Sequence, residues 1–152
     1  MMGPSHRVVG VVAFVVAAPY VGITDWRYIA LGALVAGIFA HGILSPDMDQ
    51  AYYWTSKLIP GGHRAVTHFW LWPVIGGWVA LRYVPIGWSW FALAVVIAWS
   101  SHIAGDFIFG RIPVWKRWHG WQYAGLGFKT GGFFEHLTVV ALAVFGAWTV
   151  LA

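Results

Sequence analysis

WSWFALAVVIAWSSHIAGDFIF, residues 88–109, runs for fourteen residues without an ionisable side chain and then sets His102 and Asp106 one helical turn apart. A helix crossing roughly 30 Å of hydrocarbon needs about 20 such residues, so this stretch reads as a membrane span that turns polar only at its end. The same polarity recurs in four other apolar stretches, and spans are expected near residues 7–23, 28–45, 69–85, 88–109 and 134–152. His6 precedes the first stretch, Asp47 and Asp49 follow the second, His63 and His68 precede the third, and Glu135 and His136 open the fifth. A chain that crosses a bilayer back and forth gathers all of those ends on one side. The sequence therefore predicts an all-α, polytopic membrane protein. It is a single domain over 1–152, a bundle of about five transmembrane helices with a metal site at one surface.

Composition supports the class. The chain is 60% hydrophobic and 9% charged, against about 25% charged in soluble domains, and leaves too little polar surface to cover a soluble globule. Cysteine is absent, so a metal must be held by imidazole and carboxylate. Twelve Trp and six Tyr suit aromatic belts at the interfaces. The connections at 23–27 and 84–87 are tight turns, making antiparallel hairpins of the helices they join. The longer segments 46–68 and 110–133 emerge on the polar side and are read as interfacial loops. The second alternates basic and aromatic residues and is expected to lie along the headgroups, either as a lid or as a passive membrane-resting loop. Arg7 before an apolar run ending Ala17-Ala18-Pro19 resembles a signal peptide, but four spans follow and His6 belongs to the aligned set, so the segment is read as retained.

Seven Lys and Arg residues (Arg7, Lys57, Arg64, Arg111, Lys116, Arg117, Lys129) lie on the site side, against Arg27 and Arg82 on the other. That excess favours a cytoplasmic site. Lipid headgroups account for these cations, so a nucleic-acid partner is not expected despite an isoelectric point near 9.7.

Each motif alone has an ordinary reading as well as a metal one. His102 and Asp106 share a helix face and suit a common cation, or an interhelical hydrogen bond. His63 and His68, at i,i+5, cannot share one face of a continuous helix, so one of them is expected before the first turn. Pro46 ends the preceding helix and leaves Asp47 and Asp49 at alternate loop positions. Arg64 offers a planar fork for two phosphate oxygens. Glu135 also suits the positive end of a helix dipole. His41 reads as a supporting or packing residue, and His119 as a wet interfacial one. The joint arrangement decides in favour of metal, because ionisable groups near bilayer depth cost up to about 2.5–3.5 kcal/mol each unless paired or ligated.

The ordered motifs LSPDMD (44–49), HRAVTH (63–68), HIAGD (102–106) and GGFFE (131–135), after an early His, resemble the YdjM family of inner-membrane, metal-dependent hydrolases. The family pattern is an early His, LPDxD, HRxxTHS, HxxxD and a late GxxxE. Ser45, Phe69 and Phe109 depart from it, where Leu, Ser and Thr are usual. The resemblance implies a bacterial-type inner-membrane hydrolase with His6, Asp47, Asp49, His63, His68, His102, Asp106 and Glu135 as its polar site. It also implies a distant similarity to zinc-dependent phospholipases C. The expected chemistry is cleavage of a phosphoester in a membrane lipid or lipid-linked substrate by water activated on one to three Zn²⁺ or similar divalent ions. Asp49 or Glu135 is the expected general base, with Arg64 and Lys57 neutralising phosphate charge. The alternatives are a metal-stabilised membrane scaffold and an ion-transporting protein without turnover.

Overall fold

The computed structural model describes residues 1–50, 54–59, 63–117 and 120–151. Five α-helices lie among them: α1 Gly3–Ala17, α2 Trp26–Phe39, α3 Leu71–Tyr83, α4 Ile86–Ile108 and α5 Phe133–Leu151. A hairpin of β1 (Ile112–Arg117) and β2 (Gly120–Ala124) is inserted between α4 and α5.

Three segments are long and apolar enough to cross a membrane: Gly3–Val21, Ile86–Ile108 and Phe133–Leu151. α2 and α3, with 14 and 13 residues, extend only about 20 Å at 1.5 Å per residue and are shorter than the spans expected at 28–45 and 69–85. The backbone explains both. Gly42 adopts φ 104° just beyond α2, a left-handed conformation that ends the helix and turns the chain toward the Pro46–Asp49 3₁₀ turn. At the start of α3, Pro73 falls in the first turn, the one place where its missing N–H costs nothing.

The core forms where α1, α2 and α4 meet and is built from small residues around Phe14: Ala18, Ala36, Ala40, Ala94 and Ala98 are all buried. Small side chains let helix backbones approach closely, the usual basis of association in lipid, where hydrophobicity gives no drive between helices. At Gly32 an added Cβ would sit 2.2 Å from the Phe14 ring, so α1 and α2 can pack at this distance only with glycine there. α5 rests on α1, Gly146 against Val12, and exposes Phe133, Phe134, Leu137, Val140, Val144 and Trp148. An outward face this apolar is suited to lipid and costly in water.

The segment read as an interfacial loop over 110–133 instead contains the hairpin and a strap that finishes α4. Leu126 N–H donates to Phe107 O (2.8 Å), Phe128 N–H to Ile108 O (3.3 Å), and the Thr130 hydroxyl to Phe109 O. Carbonyls at a helix C-terminus have no partner within the helix, and these bonds satisfy them next to His102 and Asp106.

Candidate metal centre

The polar residues collect at one end of the bundle. His6 lies in the first two turns of α1, His102 and Asp106 in the last two turns of α4, and Asp47, Asp49, His63 and His68 in the segment between α2 and α3. His6, Asp47, Asp49, His68, His102 and Asp106 are buried, whereas His63 is 38% exposed at its side chain. His63 and His68 both precede α3, as the reading of the third stretch had them. The backbone reverses between them, with Arg64 at φ 60°.

Two groups of donor atoms result, His6, His102 and Asp106 in one and Asp47, His63 and His68 in the other, each with its ligand atoms within 4.8 Å of one another. The groups adjoin. His68 Nε2 lies 3.2 Å from His102 Nε2 and 3.4 Å from Asp106 Oδ2, and Asp47 Oδ1 is 3.6 Å from both His68 Nε2 and His102 Nε2. Tetrahedral ligands at metal bonds of about 2.0–2.1 Å stand about 3.3 Å apart, close to these spacings.

The Nδ1 partners turn three imidazoles the same way. His102 Nδ1–H donates to the buried Ala40 carbonyl (2.7 Å), and His63 Nδ1–H donates to Asp49 Oδ1 (2.7 Å). His68 Nδ1–H donates to Thr67 Oγ1 (3.0 Å), whose own hydroxyl donates to Asp49 Oδ2. With the Nδ1 proton fixed, Nε2 is the face left for a cation, the arrangement found around metal-ligating histidines. His6 stacks on His102 with ring centroids 3.7 Å apart and its Nε2 3.3 Å from Asp106 Oδ1. Gly105 makes the stack possible, since a Cβ there would lie 2.5 Å from Met1 Sδ and 3.3 Å from His6 Cε1. His41 holds the other oxygen of Asp47, Nδ1 to Oδ2 at 3.0 Å, and so supports the site as expected.

Asp49 and Glu135 fall outside both donor groups. Asp49 receives His63, Thr67 and the Arg64 backbone N–H (3.0 Å), and both of its oxygens are engaged. Glu135 is buried, with its oxygens taking the backbone N–H groups of Met2 (2.8 Å) and Gly131 (3.0 Å). It ties α1 to α5. His136 and Lys57 are exposed, and His119 lies outside the described residues.

Asp106 collects positive charge. Arg64 approaches through Nε (3.0 Å to Oδ2) and donates from Nη2 (3.1 Å to Oδ1), and the Met1 ammonium sits 2.7 Å from Oδ1. Even so, Asp106 Oδ2, His6 Nδ1 and Arg64 Nε, the last 3.0 Å from Oδ2, are buried without a well-directed hydrogen bond. Buried polar atoms are nearly always satisfied, and a carboxylate oxygen and an imidazole nitrogen without directed partners in one cluster leave lone pairs that a cation could take. The donor set of four His and two Asp fits a borderline divalent ion.

In the connecting segment, charge is set by neighbours. Burial alone would lower the basicity of His68, but the carboxylates of Asp106, Asp47 and Asp49 outweigh it and push its pKa up to about 10. Burial would raise Asp47 and Asp49. The His68 imidazolium 3.6 Å from each, with hydrogen bonds from His63 to Asp49 and from His41 to Asp47, more than offsets it and holds both carboxyls well below the usual carboxylate range.

Comparison with known proteins returned no match to a protein-family model, a curated protein or a solved structure. The functional reading therefore rests on these residues and their geometry. Two supports of the site were not legible in the sequence, the Ala40 carbonyl behind His102 and the Thr67 relay behind His68. Thr67 was within reach, because it adjoins His68 in a His-rich loop. A main-chain carbonyl carries no mark in a sequence.

Proposed function

We propose that this protein is a five-span inner-membrane hydrolase that cleaves a phosphoester of a lipid or lipid-linked substrate at a divalent-metal site on the cytoplasmic face. The observation that carries the reading is the meeting of His68 Nε2 and His102 Nε2, 3.2 Å apart, with Asp47 Oδ1 and Asp106 Oδ2, each of which lies 3.4–3.8 Å from both nitrogens, from segments distant in the chain. The family resemblance of the motifs points the same way, as does the seven-to-two excess of Lys and Arg on that side.

Asp47, His63 and His68 on one side, and His6, His102 and Asp106 on the other, would hold the metal. When bound, a Zn²⁺-like ion supplies Lewis acidity toward a phosphoryl oxygen and brings the pKa of water toward neutrality. Asp49 keeps the His63 proton on Nδ1 and, through Thr67, fixes the tilt of His68. Glu135, with both oxygens on backbone N–H groups, holds the N-terminal end of α1 in place so that His6 stays on His102. In this reading both acids position the site, and neither is its base. Arg64, 28% exposed and holding Asp106 through Nε and Nη2, is placed to meet a phosphate oxygen entering the site with its remaining N–H groups and to neutralise charge that grows during cleavage.

Detergent-purified protein stripped with a chelator and then titrated with Zn²⁺ or Mn²⁺ should recover hydrolysis of bis(p-nitrophenyl) phosphate, and Asp106→Asn should not. Absence of turnover with Zn²⁺, Mn²⁺ and Mg²⁺ alike, or turnover indifferent to chelation, would overturn the proposal.

A further inference from the structure

A second feature bears on what the site acts upon. Between α3 and α4, at their site end, lies an open cavity of about 530 Å³, lined by Met48, Thr67, Trp72, Gly76, Val96 and Trp99 among others. The lining is apolar except at Thr67, whose hydroxyl bonds Asp49 and takes the Nδ1 proton of His68. Met48 stands in sequence between Asp47 and Asp49. The groove thus adjoins the loop that carries the donors at two residues, Met48 and Thr67, each next in sequence to a donor, and is apolar everywhere else.

Its walls are fixed to the loops that carry the donors. Trp72 Nε1–H donates to Val66 O (2.6 Å) and Trp99 Nε1–H to Leu44 O (3.1 Å). Each indole is therefore locked at its polar edge and presents its ring to the groove and the outer face, since Trp72 is 43% exposed. Gly76 keeps the floor open, and a Cβ added there would meet Val96 Cγ2 at 3.4 Å, an ordinary contact. A Cβ at this position is therefore accommodated with the helices as they stand.

We propose that this groove seats one alkyl chain of a bilayer lipid, entering sideways between Trp72 and Trp99, with the lipid's phosphate headgroup delivered past Thr67 to the metal centre. The fit is that of an amphiphile, polar at one end and hydrocarbon along its body. The headgroup half of this assignment rests on the hydrolase reading above. The chain half stands on the groove alone.

Two arms keep these halves distinguishable. In the first, protein in vesicles of phosphatidylethanolamine and phosphatidylglycerol with a trace of diazirine-tailed phosphatidylglycerol is irradiated and mapped by mass spectrometry. Label should concentrate on Met48, Val96 and Trp72, and Gly76→Leu and Val96→Phe should each remove it, whereas Leu34→Phe in the cavity between α1 and α2 should not. Label spread evenly over the outer faces, or unchanged in both groove-filling variants, would overturn the chain seat. In the second arm, kcat/KM for monomeric p-nitrophenyl alkyl phosphates should rise by up to roughly fourfold per added methylene. Gly76→Leu should flatten that slope while leaving bis(p-nitrophenyl) phosphate hydrolysis and metal content unchanged. A wild-type slope of zero would refute delivery to the site. Failure to cleave even the short diester refutes the hydrolase reading and with it the headgroup half, and the labelling arm still decides the chain.

Discussion

Replacing Asp49 by Asn keeps the shape of the side chain and removes one acceptor. Asp49 Oδ2 serves two donors, the Arg64 N–H at 3.0 Å and the Thr67 hydroxyl, and Oδ1 serves His63 Nδ1–H at 2.7 Å. The Asn oxygen satisfies more donors on the Arg64 and Thr67 side, which turns the NH₂ toward His63. Nδ1 must then accept, the ring proton moves to Nε2, and the atom facing Asp47 carries a hydrogen instead of a lone pair. Losing a partner that orients a ligating histidine typically lowers metal affinity about 10–100-fold, or roughly 1.4–2.7 kcal/mol. Zn²⁺ affinity measured by competition with a chromogenic chelator should fall within that range, and Asp49→Asn should cost much less in a His63→Ala background, because the imidazole it orients is gone. A loss many orders of magnitude larger, fully additive with His63→Ala, would make Asp49 a direct ligand and refute its positioning role. No loss at all would refute the orientation argument.

Other consequences follow from the same geometry. His102→Ala should lose metal and turnover together, while His136→Ala, exposed at the start of α5, keeps both; metal analysis beside the phosphodiester assay checks this. Gly105→Val should place its branched Cβ against His6 Cε1 and Met1 Sδ, 3.3 and 2.5 Å from the Cβ position, unstack His6 from His102 and lower thermal stability by about 1–3 kcal/mol. In metal-free protein the His68 imidazolium, raised from 6.5 to about 10, contributes stability that is whole below pH 6.5 and lost as pH rises through 10. The melting temperature of the chelated form should therefore fall over that interval, with added Zn²⁺ flattening the decline because a ligating His68 has already given up its proton.

Much of the site was legible because membrane insertion makes polar residues conspicuous. His102 and Asp106 stand out against the fourteen residues before them, none with an ionisable side chain, and the i,i+4 spacing alone predicts their shared face. That His6, Asp47, His63 and His68 join them was expected because each stands at the corresponding end of its apolar stretch. The sequence does not separate ligand from support, since Asp47 and Asp49 look equivalent in Pro-Asp-Met-Asp. A 3₁₀ turn decides between them by sending one carboxylate oxygen toward His102 and the other acid back toward His63 and Thr67. Glu135 lies outside both donor groups, and its backbone partners Met2 and Gly131 carry no identifiable side-chain signal. The helix ends were overextended where Gly42 and Pro73 set them. The hairpin of β1 and β2 was hidden because its aromatic and basic residues suit an interfacial loop equally well, although Ile112, Val114 and Trp115 also suit a strand.

The most direct test of the account is anomalous scattering at the zinc edge from crystals of the Zn²⁺-loaded protein. The account predicts density within about 2.0–2.2 Å of His68 Nε2 or His102 Nε2 and of Asp47 or Asp106, at the end of the bundle where α1 begins and α4 finishes. Loaded protein with no peak there, or with its only peak on exposed residues such as His136, would contradict it.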